Sequence, residues 1–148
     1  MTVTQQGMVR VAESGSGPYS QIVTAGGHTL SADEPRELGG QGVGPSPYEY
    51  ILAGLGACTA MTLRSYVIRH NWGVDQITIE LQHERIAAAD PSETVDKFRR
   101  VICLKGTISE AQRLKLLEIA ERCPVSLTLR RASIIESRVT DSITSGPV

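Results

Sequence analysis

The sequence predicts an α+β fold built mostly from antiparallel sheet. Alternating apolar positions mark strands near the start, in the middle and near the end of the chain. One long helical pattern separates the first strands from the middle pair, and a second helix precedes the last strand. Runs of strands divided by helices, without regular βαβ alternation, favour this class over a parallel sheet. At 148 residues the chain reads as a single domain over 1–148, with 1–7 and 142–148 as frayed tails.

"GMVRVAES" and "YSQIVTAGGHTLSAD" open the chain. Val9, Val11 and Ile22 alternate with polar residues, and Gly17-Pro18 and Gly26-Gly27 supply turns. "EPRELGGQGVGPSP" follows as an extended Gly- and Pro-rich loop. It ends where Ser46 reads as a helix N-cap, with Pro47 at the first helical position and Glu49 completing a capping box. The helix runs to Asn71 and is apolar on nearly every face through Met61, a pattern that calls for burial all round. Packing against a second subunit is one way to achieve that. Asn71 and Gly73 stop it. "DQITIELQHERI" and "FRRVICLKGTI" form a hairpin across a polar turn. Ser109 caps a second helix with Leu114, Leu117 and Ala120 along one face, Pro124 breaks it, and "ASIIESRVTDSI" reads as a last strand.

Composition excludes several functions. With 41% hydrophobic and 21% charged residues, the chain is ordinary for a soluble globular protein. A net charge of −1 and only one Phe and one Trp leave no footprint for nucleic acid or an anionic membrane. The start lacks a signal peptide, and no apolar run reads as a membrane span, so the expected location is the cytoplasm. His28, His70 and His83 lie in different elements and offer no zinc spacing. "LGGQGVG" lacks the lysine of a phosphate loop. Arg130-Arg131 reads as a solvated pair.

Three cysteines in a reducing compartment read as free thiols, redox groups or catalysts. Cys103, in a strand, is expected in the core. Cys58, among the small residues of "GLGACTAMTLR", is either a core filler or a reactive group. Cys123 precedes Pro124, where the positive end of a new helix would favour thiolate. If the helices carrying Cys58 and Cys123 pack together, the pair has what a peroxide-reducing couple needs. One thiol becomes a sulfenic acid and the other condenses with it to a disulfide. A cation to favour thiolate could be Arg36 or Arg64.

The segments "GGHTLSADEP", "GPSPYEYILAGLGACTAMTLRSYVIRHNWG" and "LEIAERCPVSLTL" together resemble the OsmC-like family of osmotically inducible and organic hydroperoxide resistance proteins, in its OsmC-related branch. The resemblance runs from about Tyr19 to Val139. It implies an intertwined α+β homodimer with long central helices buried at the interface, where the active sites lie. It also implies a two-cysteine peroxidase acting on organic hydroperoxides or hydrogen peroxide, with Cys58 as peroxidatic nucleophile and Cys123 as resolving thiol. The disulfide would be reduced by a dithiol or lipoylated protein, without metal or organic cofactor.

Two departures stand out. The acid of the hydroperoxide-resistance members directly follows the proline; here Tyr48 holds that place and Glu49 follows. One residue turns a side chain by about 100° on a helix. The branch often reads "CPVHRTL", where this chain has Ser126 and Leu127. These departures motivate the competing expectations of a small-molecule-binding dimer with little turnover, or a redox sensor.

Overall fold

The computed structural model describes residues 7–143, so the expected frayed tails lie almost wholly outside the described residues. The chain divides into two compact units. One holds the described residues up to Tyr50 together with those from Ile135 onward, and the other is Ile51–Ile134.

In the first unit, strands β1 (Val9–Glu13), β2 (Gln21–Ala25) and β3 (His28–Ala32) form an antiparallel sheet in that order. The Gly-rich loop after it is ordered rather than loose. Buried Asp33 is the reason: its carboxylate accepts the N–H groups of Glu34, Gln41 and Val43. Three donors for one buried anion satisfy a group that would otherwise be costly to desolvate. Gly40 lets the loop fold this tightly, since a Cβ there would sit 1.9 Å from the Glu34 carbonyl oxygen.

Helix α1 spans Pro47–His70. Its capping box is formed: Glu49 Oε2 accepts the Ser46 N–H at 2.7 Å, and Ser46 Oγ accepts the Glu49 N–H. Asn71 ends it in the left-handed region at φ 51°, as the sequence predicts.

In the second unit, β4 (Gly73–Ala87) and β5 (Thr94–Thr107) form an antiparallel hairpin. Helix α2 (Glu110–Ala120) follows behind a Ser109–Gln112 capping box, and α3 (Pro124–Arg130) starts directly after Cys123. The core joins these elements: Leu63 and Val67 of α1, Val74 of β4, and Leu116, Ile119 and Ala120 of α2 are buried together. Half-buried Ile77, Ile102 and Leu104 support them from the hairpin. Gly56 brings α1 close to the hairpin, for a Cβ there would lie 2.7 Å from Leu81 Cδ1.

The structure corrects several sequence expectations. Residues 132–143 form no strand, and Ile134 is 92% exposed. Strand propensity stabilises a segment only through neighbours on a sheet, and no described strand pairs with this one. The inward face of α2 carries Leu116 and Ile119, while Leu114 and Leu117 are exposed. Cys103 is exposed rather than core, because Ile102 and Leu104 take the inward positions of β5 and alternation turns it outward. Helix α1 is buried along one stripe only, with Met61 71% and Ile68 69% exposed. By length and mean hydropathy (1.4) it also meets the criteria of a bilayer span, which the sequence reading did not anticipate. Its inner stripe packs instead on the β4–β5 and α2 core.

Leu63 is fully buried. Leu63→Ala should therefore destabilise the second unit by roughly 2–5 kcal/mol, read as a lower urea midpoint with the same slope.

Candidate active site

Cys58 and Cys123 come from different elements and meet. Cys58 sits in the middle of α1 and is half-buried; Cys123 is the N-cap of α3 and is fully buried. The Cys58 thiol comes near enough to the Cys123 sulfur to help favour its ionised form. The contact arises because α1 presents Thr59, Leu63 and Val67 to the interior along one stripe, placing Cys58 at its margin. The α2–α3 break at Pro124 turns Cys123 toward the same stripe.

Cys123 is the more densely surrounded sulfur. The Ser126 N–H donates to it at 3.3 Å, as an N-cap acceptor requires. Buried Thr59 Oγ1 lies 3.6 Å away, and Arg100 Nη1 lies 3.9 Å away. The same Arg100 nitrogen donates to Thr59 Oγ1 at 2.8 Å. Burial pushes the Cys123 thiol up. The Ser126 N–H, the Thr59 hydroxyl, the Cys58 thiol and the Arg100 charge together outweigh it and hold the thiol below its ordinary value of 9.0.

Arg100 is the residue that sequence reasoning missed. Its side chain is only 10% exposed, and its second guanidinium nitrogen pairs with Glu121 at 3.2 Å. Glu121 in turn pairs with Arg130, which, like Arg131, is exposed to solvent as the sequence predicts. A signal was present: strand alternation puts Arg100 on the face of Phe98, Ile102 and Leu104. Arg64, a candidate cation from sequence, donates to the carbonyls of Val74 and Asp75 at 2.6 and 3.3 Å. Arg36 and Glu49 belong to the first unit. Arg36 lies in a short 3-10 turn, Arg36–Leu38. The Ser46 N–H and hydroxyl hold the Glu49 carboxyl below its ordinary range.

A cavity of about 560 Å³ lies beside this network. Its lining is mixed: Leu55, Phe98, Ile102, Leu117 and Leu129 give apolar walls, and Ser126 with the charged Asp96, Lys97, Arg100, Glu121 and Arg130 gives polar ones. Among the described residues there is no His, Cys, Asp and Glu cluster able to hold a metal ion.

The family model described as OsmC-like protein matches residues 39–138, well over half of the chain. The chain belongs to the OsmC-like family. The fold agrees. An OsmC-like protein of Mycoplasma pneumoniae superposes with a TM-score of 0.71 at 15% identity, covering 86% of this chain and 89% of that one. An organic hydroperoxide resistance protein of Legionella pneumophila gives 0.65 at 19%, covering 87% and 92%. The organic hydroperoxide resistance protein OhrB of Bacillus subtilis gives 0.60 at 21%, covering 84% and 90%. No curated protein sequence matches this OsmC-like chain significantly.

The lowered native ionisation of Cys123 links its charge to stability. Its contribution is complete above the unfolded value of 9.0 and is lost as pH falls through the native one. The gap in urea midpoint between wild type and Cys123→Ala should therefore widen from about pH 6 to about pH 9. A gap that narrows over that range contradicts the lowered value.

Proposed function

We propose that this OsmC-like protein is a thiol-dependent peroxidase that reduces organic hydroperoxides or hydrogen peroxide with Cys58 and Cys123. The observation that carries the reading is that a partly exposed thiol and a buried one, from different elements, come together. Solvent access makes Cys58 the group a peroxide meets first. Burial keeps Cys123 for the second step.

The Cys58 sulfur attacks the peroxide oxygen, the O–O bond breaks, and Cys58 becomes a sulfenic acid while the alkoxide takes a proton and leaves as alcohol. Cys123 then attacks the Cys58 sulfur, the S–O bond breaks, and hydroxide leaves as water once protonated. A dithiol restores both thiols and is itself oxidised to a disulfide. The apolar walls of the mixed cavity beside Cys123 suit the hydrocarbon part of an organic hydroperoxide, and its charged groups suit the polar peroxide end. Two structural relatives named as organic hydroperoxide resistance proteins favour that substrate over a ligand that is merely bound. Unpaired thiols fit a cytoplasmic setting.

A homodimer follows from the exposed stripe of α1. Met61, Ile68 and Ala60, with Ile77 of β4, line a groove of about 660 Å³, and a second copy covering it would complete the burial that the helix sequence demands.

Stoichiometric cumene hydroperoxide should lower the protein mass by two hydrogens and link Cys58 to Cys123 in peptide maps. Cys58→Ser should consume no peroxide, and Cys123→Ser should stop at a trappable sulfenic acid after one equivalent. Both thiols remaining alkylatable with peroxide untouched would sink the reading. Separately, wild type should sediment as a dimer, and Met61→Glu combined with Ile68→Glu should give a folded monomer.

A further inference from the structure

We propose that Arg100, acting with Thr59 and the Ser126 N–H, holds Cys123 as the anionic sulfur of the reduced pair, so that Cys123 accepts the proton of Cys58 during attack as well as closing the disulfide. The inference rests on the two-cysteine reading for its place in catalysis, and on geometry for its charge assignment.

The geometry is one-sided. Groups from three elements converge on Cys123: the Ser126 N–H of α3 donates at 3.3 Å, Arg100 of β5 reaches it at 3.9 Å, and Thr59 Oγ1 of α1 lies 3.6 Å away. Thr59 has one proton and two acceptors. Its Oγ1 donates to the Leu55 carbonyl at 2.7 Å or faces the Cys123 sulfur at 3.6 Å. Arg100 donates into that same oxygen at 2.8 Å, which occupies one lone pair and leaves the hydroxyl proton a choice between the Leu55 carbonyl and the sulfur. With Cys123 neutral, the Leu55 carbonyl accepts the Thr59 hydrogen bond; with Cys123 anionic, rotation turns that hydrogen bond to sulfur. The charges facing Cys123 are Arg100 and, behind it, Glu121 with Arg130. Glu121 meets the far guanidinium nitrogen, so it anchors Arg100 without taking the nitrogen that points at Thr59 and sulfur.

Proton and electron flow then balance through the pair. As Cys58 attacks the peroxide oxygen, its S–H proton passes to the Cys123 thiolate and onward to the departing alkoxide. Cys58 loses two electrons to the O–O bond. Cys123, anionic again, attacks the sulfenic sulfur and expels hydroxide. When a dithiol later attacks the accessible Cys58 sulfur, Cys123 leaves as the thiolate that Arg100 and Thr59 stabilise. A lower-pKa thiol is the faster leaving group.

The test is thiolate ultraviolet absorbance against pH, without peroxide, in a Cys103→Ser background that removes the exposed third thiol. Cys58→Ser should keep the absorbance at neutral pH, and Cys123→Ser should lose it. Arg100→Met should raise the Cys123 midpoint by about 1–3 pH units, and Arg100→Lys should restore most of the shift. In single-turnover mixing, Arg100→Met should slow disulfide closure roughly three- to tenfold, since lost thiolate is partly offset by greater intrinsic nucleophilicity. Thr59→Val should move the midpoint in the same direction, which carries the test if Arg100→Met does not fold. Neutral-pH thiolate that disappears with Cys58→Ser and persists in Cys123→Ser overturns the assignment, as does a midpoint unmoved in both Arg100→Met and Thr59→Val. A protein with the Cys123 thiolate that consumes no peroxide defeats only the peroxidase reading. One that consumes peroxide with its thiolate on Cys58 defeats only this one.

Discussion

The close approach of α1 to the hairpin at Gly56 is the constraint on which the site depends. A Cβ at this position would lie 2.7 Å from the terminal Cδ1 of Leu81, so glycine lets the helix settle on β4 without turning that side chain aside. Leu81 is the cross-strand partner of Arg100. The contact that seats the helix therefore also sets how far the guanidinium reaches, and it reaches Thr59, three residues along the same helix. The cost of glycine in a helix interior, about 1 kcal/mol relative to alanine, is the local sacrifice that this geometry requires.

From that contact the chemistry assembles without any strained group. Cys123 caps a helix with sulfur where serine or aspartate would ordinarily serve, and Pro124 starts that helix with no lost hydrogen bond. Glu121, at the end of α2, binds two arginines, one half-buried and one at the surface. A buried cation paired and hydrogen-bonded on both forks meets the condition for a tolerable internal charge. The result is a buried sulfur with a donor on several sides and an accessible sulfur next to it.

Much of this was legible in the sequence. Both capping boxes, the β4–β5 hairpin, the left-handed stop at Asn71 and the helix restart after Cys123 follow from local residue chemistry and hold in the structure. Local signals failed where a distant neighbour decides. The run at 132–143 has strand composition but pairs with no strand among the described residues, so it stays irregular and exposed. Leu114 and Leu117 share a helical face with Ala120, yet the hairpin takes the adjacent face, because Leu116 and Ile119 are the residues that meet Leu63 and Val67. Arg100 and Cys103 were misjudged for one shared reason. Both lie in "FRRVICLKG", where reading the residue types hides the alternation, and parity sends the arginine inward and the thiol outward. The pairing of the two cysteines is visible only through the family motif, since 64 residues separate Thr59 from the sulfur it touches.

That long separation has a mechanical side. A bond between Cys58 and Cys123 would tie α1 to the start of α3 and deny the unfolded chain a large loop of its freedom. Such a crosslink disfavours the unfolded state by about 4 kcal/mol. The oxidised protein would thus be the sturdier one. Opening the crosslink would return that freedom to the unfolded chain, so the redox state of two sulfurs would set how readily the second unit opens.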